Sequence, residues 1–194
     1  MSSGNPATRK HILEETWRLM VERHGQGVRV DDIARASKVS RQAVYLYFGT
    51  RADLLIATVR YVDEALELEK RLEKVYSSTS GIEILDGVVE FWGNYIPRIY
   101  GLAKALLAVY DTDKDAAAAW NDRMAALREG CDHAIQCLVR EGSLAAGWES
   151  TEAASMMWSL LAISVWENLT IHQGWSNEQY IHRMQEVMHR TFGV

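Results

Sequence analysis

The sequence predicts an all-α protein, with a head of short helices and a larger body of long antiparallel ones. Apolar residues recur at three- and four-residue spacing along most of the chain, and no run alternates over the length of a strand. Proline occurs only at Pro6 and Pro97, and glycine is not enriched, which disfavours a turn-dense β architecture. Capping residues punctuate the periodic runs and set the expected helix boundaries.

The first helix is expected from Pro6 or Arg9 to His24, with Ile12, Leu13, Thr16, Leu19 and Met20 on one face. Asn5 caps it, since proline at the first helical position sacrifices no hydrogen bond, and Thr8 is the competing cap. Gly25-Gln26-Gly27 ends it. A two-turn helix follows over 30–36 with Asp31 and Asp32 at its positive end. After the turn Ser37-Lys38-Val39, Ser40 caps a helix over 41–48. Thr50 and Asp53 form a capping box for a long helix reaching about Tyr76.

Ser80 and Glu83 form a second box, opening a helix to Tyr100. Within it Pro97 cannot donate to the Gly93 carbonyl and should introduce a kink. A shorter helix to Tyr110 is expected next. Trp120, Met124, Leu127, Cys131, Ala134 and Leu138 are spaced as the apolar stripe of the helix after that. A helix over 151–172 follows. Ser176 then caps a last one carrying Tyr180, Ile181, Met184, Val187, Met188 and Phe192 inward.

Composition narrows the classes. With 48% apolar residues the chain can bury a real core. Cys131 and Cys137 lie on different faces of their helix, so they neither bridge nor share a metal locally, and read as reduced core thiols. The chain opens on polar residues rather than a secretory signal. Its uncharged run 153–166 is shorter than the roughly 20 residues of a spanning helix, so a cytoplasmic protein without membrane contact is expected. Net charge is −5 but uneven. Residues 1–60 carry ten Lys/Arg against six Asp/Glu, a net +4, and residues 61–194 carry eleven against twenty, a net −9. A basic head on an acidic body points to an anion-binding N-terminus.

The informative block runs from Val30 to Phe48. It reads as two short helices around a three-residue turn, locked at a steep angle by Ile33, Ala34, Val39, Val44 and Phe48. Such a pair can hold its second helix in the major groove while the first crosses the backbone. The aromatic end, Tyr45 and Tyr47 followed by Phe48, then a cap and the basic Arg51, sets this block apart.

The region from about residue 8 to 60 resembles the DNA-binding domain of the TetR family of bacterial regulators. Ile12-Leu13, Ile33-Ala34, Val39-Ser40, Tyr45-Leu46-Tyr47-Phe48 and Asp53-Leu54-Leu55 carry the resemblance. It implies a three-helix helix-turn-helix domain over 1–55 and a helical ligand-binding and dimerisation domain over 56–194. It also implies that Ser40, Arg41, Gln42 and Ala43 face base edges. Arg41 suits guanine, Gln42 adenine and Ala43 a thymine methyl. Tyr45, Tyr47 and Arg51 fall at phosphate-contacting positions. Three departures stand out, one being Gln42 where many relatives carry glycine or another small residue, so no relative's operator sequence carries over. Arg29 replaces the usual threonine cap, losing a hydroxyl but offering a charge to phosphate. Lys38 replaces the usual turn glycine, so a left-handed conformation is expected there at some cost.

In the body, the resemblance implies an effector cavity and a dimer interface. Trp92, Tyr95, Tyr110, Trp120, Met124, Trp158 and Trp166 are the candidate walls, and a small hydrophobic or aromatic effector is expected. The segment 156–169 is apolar nearly all round, so a second subunit is expected to cover the last two long helices. Partners are then a double-stranded operator with inverted repeats, a second copy of the chain and a small molecule. Repression released by that molecule is the expected role. A protein of the same fold without small-molecule control is the alternative. No enzyme, cofactor or metal is expected. A di-iron bundle needs paired Glu-x-x-His motifs, and only Glu186 and His189 fit. His182, Glu186 and His189 share a face, but one read as solvated.

Overall fold

The computed structural model of the chain describes residues 5–23 and 28–193, with Glu69 described in its backbone alone. His24 and the Gly25-Gln26-Gly27 stop fall outside the described residues. Ten α-helices are described: α1 Pro6–Glu22, α2 Val30–Ala36, α3 Arg41–Phe48, α4 Arg51–Ala65, α5 Leu68–Tyr76, α6 Gly81–Leu107, α7 Lys114–Glu141, α8 Ser150–Leu160, α9 Ile163–Glu167 and α10 Asn177–Phe192. A π-helical turn, Asn168–His172, prolongs α9. Among the described residues there is no strand, only an isolated bridge between Leu144 and Gly193. The chain is all-α, as its periodicity predicts.

The chain divides into two compact units, one of residues 1–67 with 99–124 and the other of 68–98 with 125–194. In the first, α1 packs on α2 and α4, and α3 packs on α2 and α4. The predicted face of α1 is the buried one: Ile12, Leu13, Thr16, Leu19 and Met20. The Asn5 carboxamide accepts from the Ala7 N–H at 3.0 Å, so Asn5 rather than Thr8 caps α1. Val21 of α1 meets α6 at Gly101, where a Cβ would stand 3.1 Å from the valine methyl. Arg60 of α4 pairs with Asp122 of α7 at 2.8 Å, and Arg123 with Asp63 at 3.5 Å. The ends of α6 and α7 are therefore fastened to α1 and α4.

The second unit is built on α6, α7, α8 and α10. Trp92, Tyr95, Ile96 and Leu85 of α6, Cys131, Ile135 and Leu138 of α7, and Tyr180, Met188 and Phe192 of α10 are fully or almost fully buried. At Gly93 a Cβ would stand 2.5 Å from Ile181, and at Gly87 2.7 Å from Val75, so α10 and α5 approach α6 where it lacks side chains. The Cys131 thiol is pushed up to about 12 by burial, then by Asp132, so it stays protonated at neutral pH.

Three helix boundaries and one inward position differ from the sequence expectation, each for a tertiary reason. The helix expected over 50–76 breaks after Ala65, where Glu67 takes a positive φ of 53°. No Gly or Pro marks the site. The two ion pairs to α7 fix the end of α4, while Val75 must reach Gly87 of α6. The two helices expected over 81–110 are one helix that continues through Pro97. One lost hydrogen bond is outweighed by an unbroken buried stripe through Ile96, Ile99, Leu102, Ala103 and Leu106. The helix expected over 151–172 breaks at Leu161–Ala162, because the Leu161 carbonyl accepts the Trp92 indole N–H at 2.6 Å. In α10, Val187 faces outward, 42% exposed, rather than into the core.

Candidate nucleic-acid interface

Helices α2 and α3 form the predicted helix-turn-helix. Ile33, Ala34, Val44 and Phe48 are buried between them and their neighbours. Lys38 takes the expected left-handed conformation, φ 56°, to turn the chain. Arg29 has no acceptor with which to cap α2. Asp32 does the work instead, accepting from the Arg29 N–H at 3.3 Å. That bond outweighs the upward push of burial and, with Arg23 adding to it, holds the Asp32 carboxyl below its ordinary value. At α3 the Ser40 hydroxyl oxygen accepts from the Ala43 N–H at 3.1 Å, which leaves its proton for an outside acceptor.

Helix geometry sorts the faces of α3. Val44 and Phe48 are buried. At roughly 100° per residue, Gln42 and Leu46 lie about 140–180° from them and form the outermost ridge. Both are exposed. Ala43 and Tyr47 flank this ridge on one side and Tyr45 on the other, all three half-buried, while Arg41 projects from the first turn nearer the Phe48 side and is exposed. Four of the predicted contact residues, Gln42, Ala43, Tyr45 and Tyr47, thus lie on or beside the outer ridge of one short helix, with Ser40 and the exposed Arg41 at its start. Phe48 packs inward beneath the guanidinium of Arg9, 5.3 Å from its ring.

Two predicted cations hold partners of their own. Arg41 lies 5.6 Å from the Tyr45 ring and 3.2 Å from Asp31. Its reach toward a base requires giving up that carboxylate. Arg51, 21% exposed, donates to Asp113 at 2.7 Å, to Asp115 at 3.3 Å and to the Val28 carbonyl at 3.2 Å. A phosphate at Arg51 has to replace these oxygens. Arg29, Asp31, Arg41, Tyr45, Arg51 and Asp113 line one open groove of about 670 Å³. The role of Asp113 and Asp115 was not visible in the sequence, because they stand more than sixty residues away, in the turn before α7 and in its first turn.

Burial pushes the Asp113 carboxyl up, but the Arg51 hydrogen bond, with the Ala116 and Asp115 N–H groups, outweighs it and leaves the carboxyl below its ordinary value. A depressed carboxyl stabilises the fold above its unfolded value of roughly 3.9 and loses that contribution as pH falls through the folded value. Wild-type protein should therefore lose the stabilisation from this pair as pH falls below about 4. Asp113→Asn should be less stable at pH 7 and less sensitive to acid. Urea unfolding between pH 7 and 3.5 checks both. A variant as acid-sensitive as wild type would remove this pair from the explanation.

Of the seven aromatic and methionine candidates in the body, Trp92, Tyr95, Trp158 and Trp166 lie in the second unit, and Tyr110, Trp120 and Met124 in the first. Trp92, Tyr95 and Trp166 are buried, and the Trp166 indole donates to Asn177 at 2.9 Å. Tyr110 donates to Asn121 at 2.9 Å. An open groove of about 660 Å³ in the second unit runs instead over Phe91, Asn94 and Arg98 of α6 and Arg71 and Lys74 of α5. Its lining contains none of the four. Glu186 and His189 go to separate partners, Arg183 at 2.6 Å and Asp86 at 2.7 Å. No group of three metal-ligating side chains is found among the described residues. No described helix is long and apolar enough to cross a membrane.

Helices α2 and α3 thus form a helix-turn-helix, with the Gln42–Leu46 ridge outward, at the head of a chain built of helices. Residues 12–58 match the model of the bacterial regulatory proteins of the tetR family. The whole chain has the fold of TetR-family transcriptional regulators. A regulator from Saccharomonospora viridis, solved with choline, is 18% identical, with a TM-score of 0.75 over 98% of this chain and 100% of that one. A TetR-family regulator from Rhodococcus sp. is 18% identical, with a TM-score of 0.73 over 96% and 98% of the chains. The regulator FadR from Bacillus subtilis, solved with stearoyl-CoA, is 17% identical, with a TM-score of 0.72 over 92% and 96%. No curated protein matches.

Proposed function

We propose that the protein is a homodimeric repressor that binds an inverted-repeat operator and is released by a small hydrophobic or aromatic effector. The outward Gln42–Leu46 ridge of α3 carries the DNA-binding part. Ser40, Arg41, Gln42 and Ala43 are assigned to base edges, and Arg29, Tyr45, Tyr47 and Arg51 to phosphates. Three of the large apolar side chains left exposed, Met156, Ile171 and Val187, lie on α8, the π-helical turn and α10. That placement supports a dimer through these helices.

An effector in the second unit, at a space that opens among Trp92, Tyr95, Trp158 and Trp166, acts on helices α6 and α7. Both continue into the unit that holds α1 and α4, where Val21 meets Gly101 of α6, and Arg60 and Asp63 pair with Asp122 and Arg123 of α7. Ligand complexes of the S. viridis and B. subtilis proteins support an effector in this fold. A tenfold preference for the DNA-free conformation amounts to about 1.4 kcal/mol per site, so an enclosing site is needed for full release. The test is fluorescence anisotropy of labelled operator with the purified protein, titrated with choline, long-chain acyl-CoA and a panel of aromatic compounds. Release by one of them at saturating, sub-millimolar concentration is expected. Unchanged operator affinity across the panel would favour a DNA-binding protein without small-molecule control.

The Arg41–Asp31 pair yields a second expectation. Asp31 sits in the interface groove and holds the guanidinium that the base contact needs. Asp31→Ala should tighten operator binding by roughly three- to tenfold, by freeing Arg41 and removing a charge that repels phosphate. Binding that weakens instead would mean that Asp31 orients Arg41 for its contact.

A further inference from the structure

Leu46 is the most exposed of the large apolar side chains that stand out from the fold, at 80%, against 55% for Ile171. Isolated exposed leucines are ordinary on protein surfaces. This one is placed differently. It stands one turn after Gln42 on the outermost ridge of α3, opposite Val44 and Phe48, and the half-buried Ala43, Tyr45 and Tyr47 flank it. A side chain at that position, four-fifths exposed, meets whatever α3 is pressed against.

We propose that Leu46 reads the C5-methyl of a thymine in the operator, and so sets specificity at a base position next to the one read by Gln42. This rests on the DNA-binding reading above and deepens it. A leucine has neither donor nor acceptor, so the hydrogen-bonding edges of bases give it nothing. The thymine methyl is the apolar group that the major groove offers. Leu46 follows Gln42 by one helical turn, about 6 Å along the axis. With base pairs spaced roughly 3.4 Å apart, the two side chains fall on positions about one or two base steps from each other. The Gln42–Leu46 pair then recognises adenine and thymine together, the amide through hydrogen bonds and the leucine through desolvation. Ala43 lies on the flank of the ridge and is shorter, so it reaches less far.

The test uses the full chain and an operator recovered by selection from a random duplex pool. Each thymine is replaced in turn by uracil, which removes the methyl and leaves base pairing intact. One uracil position per half-site should weaken wild-type binding by roughly three- to tenfold, the scale of one or two buried methyl groups. Leu46→Ala, at a solvent-exposed position that the fold does not depend on, should bind the thymine operator with the same loss and show no further loss with uracil. Uracil without effect on wild type at every position would overturn the proposal while leaving the DNA-binding reading intact. So would a uracil effect that persists in Leu46→Ala, which would move the methyl contact to Ala43. A pool from which no sequence is enriched would overturn the DNA-binding reading, and Leu46 with it.

Discussion

Gln42→Ala is expected to cost roughly 1–3 kcal/mol per half-site on the preferred operator and almost nothing on unrelated DNA. Gln42 is exposed on the outermost ridge of α3, and its amide is suited to adenine N6 and N7. A base contact is lost only where the right base is present, so discrimination at one position should relax while affinity for random duplex holds. A phosphate contact behaves otherwise. Arg51→Ala, once Asp113 and Asp115 are accounted for, should weaken all DNA alike and flatten the salt dependence by about one unit. Competition binding on operator variants at several salt concentrations separates the two. Equal losses on specific and random DNA with Gln42→Ala would contradict its assignment to a base.

The largest stability effect is expected at Trp92. Its side chain is 1% exposed, lies 5.9 Å from the Tyr95 ring, and donates its indole N–H to the Leu161 carbonyl at 2.6 Å. Truncating a buried tryptophan costs roughly 3–5 kcal/mol through lost burial and the cavity left behind. Against a total stability of about 5–15 kcal/mol, that is a large fraction. Trp92→Ala should shift the urea midpoint accordingly with little change in slope. Trp92→Phe should lose less, about 1–3 kcal/mol, because it keeps most of the packing and leaves the Leu161 carbonyl without its donor. A loss below 1 kcal/mol for the alanine variant would show that the second unit does not depend on this side chain.

Much of the helical layout was legible because local chemistry decides it. The Asn5, Ser40, Thr50 and Ser176 caps each accept the backbone N–H expected of them, and α1 and α7 bury the stripes that their periodicity marks. The Ser80–Glu83 box forms only in half. Ser80 accepts from the Glu83 N–H at 3.4 Å, while the Glu83 carboxylate takes the Ser78 hydroxyl at 2.6 Å. What escaped the sequence depends on contacts between distant residues. The break after Ala65 answers to ion pairs with α7, the break at Leu161 to an indole sixty-nine residues earlier, and the orientation of Arg51 to the turn before α7. In the interface, residue types and spacing in α3 were readable. The carboxylates that hold Arg41 and Arg51 were not, since no local pattern pairs a charge with a partner across the fold.

Selection of the full-length protein against a pool of random duplexes tests the central claim most directly. The expected product is an inverted repeat whose half-sites are centred one helical turn apart, roughly 34–36 Å, or somewhat more, with an A·T pair at the Gln42 and Leu46 positions of each half. A single unrepeated site would contradict the symmetric dimer. A pool with no enriched sequence would contradict specific DNA recognition by α3.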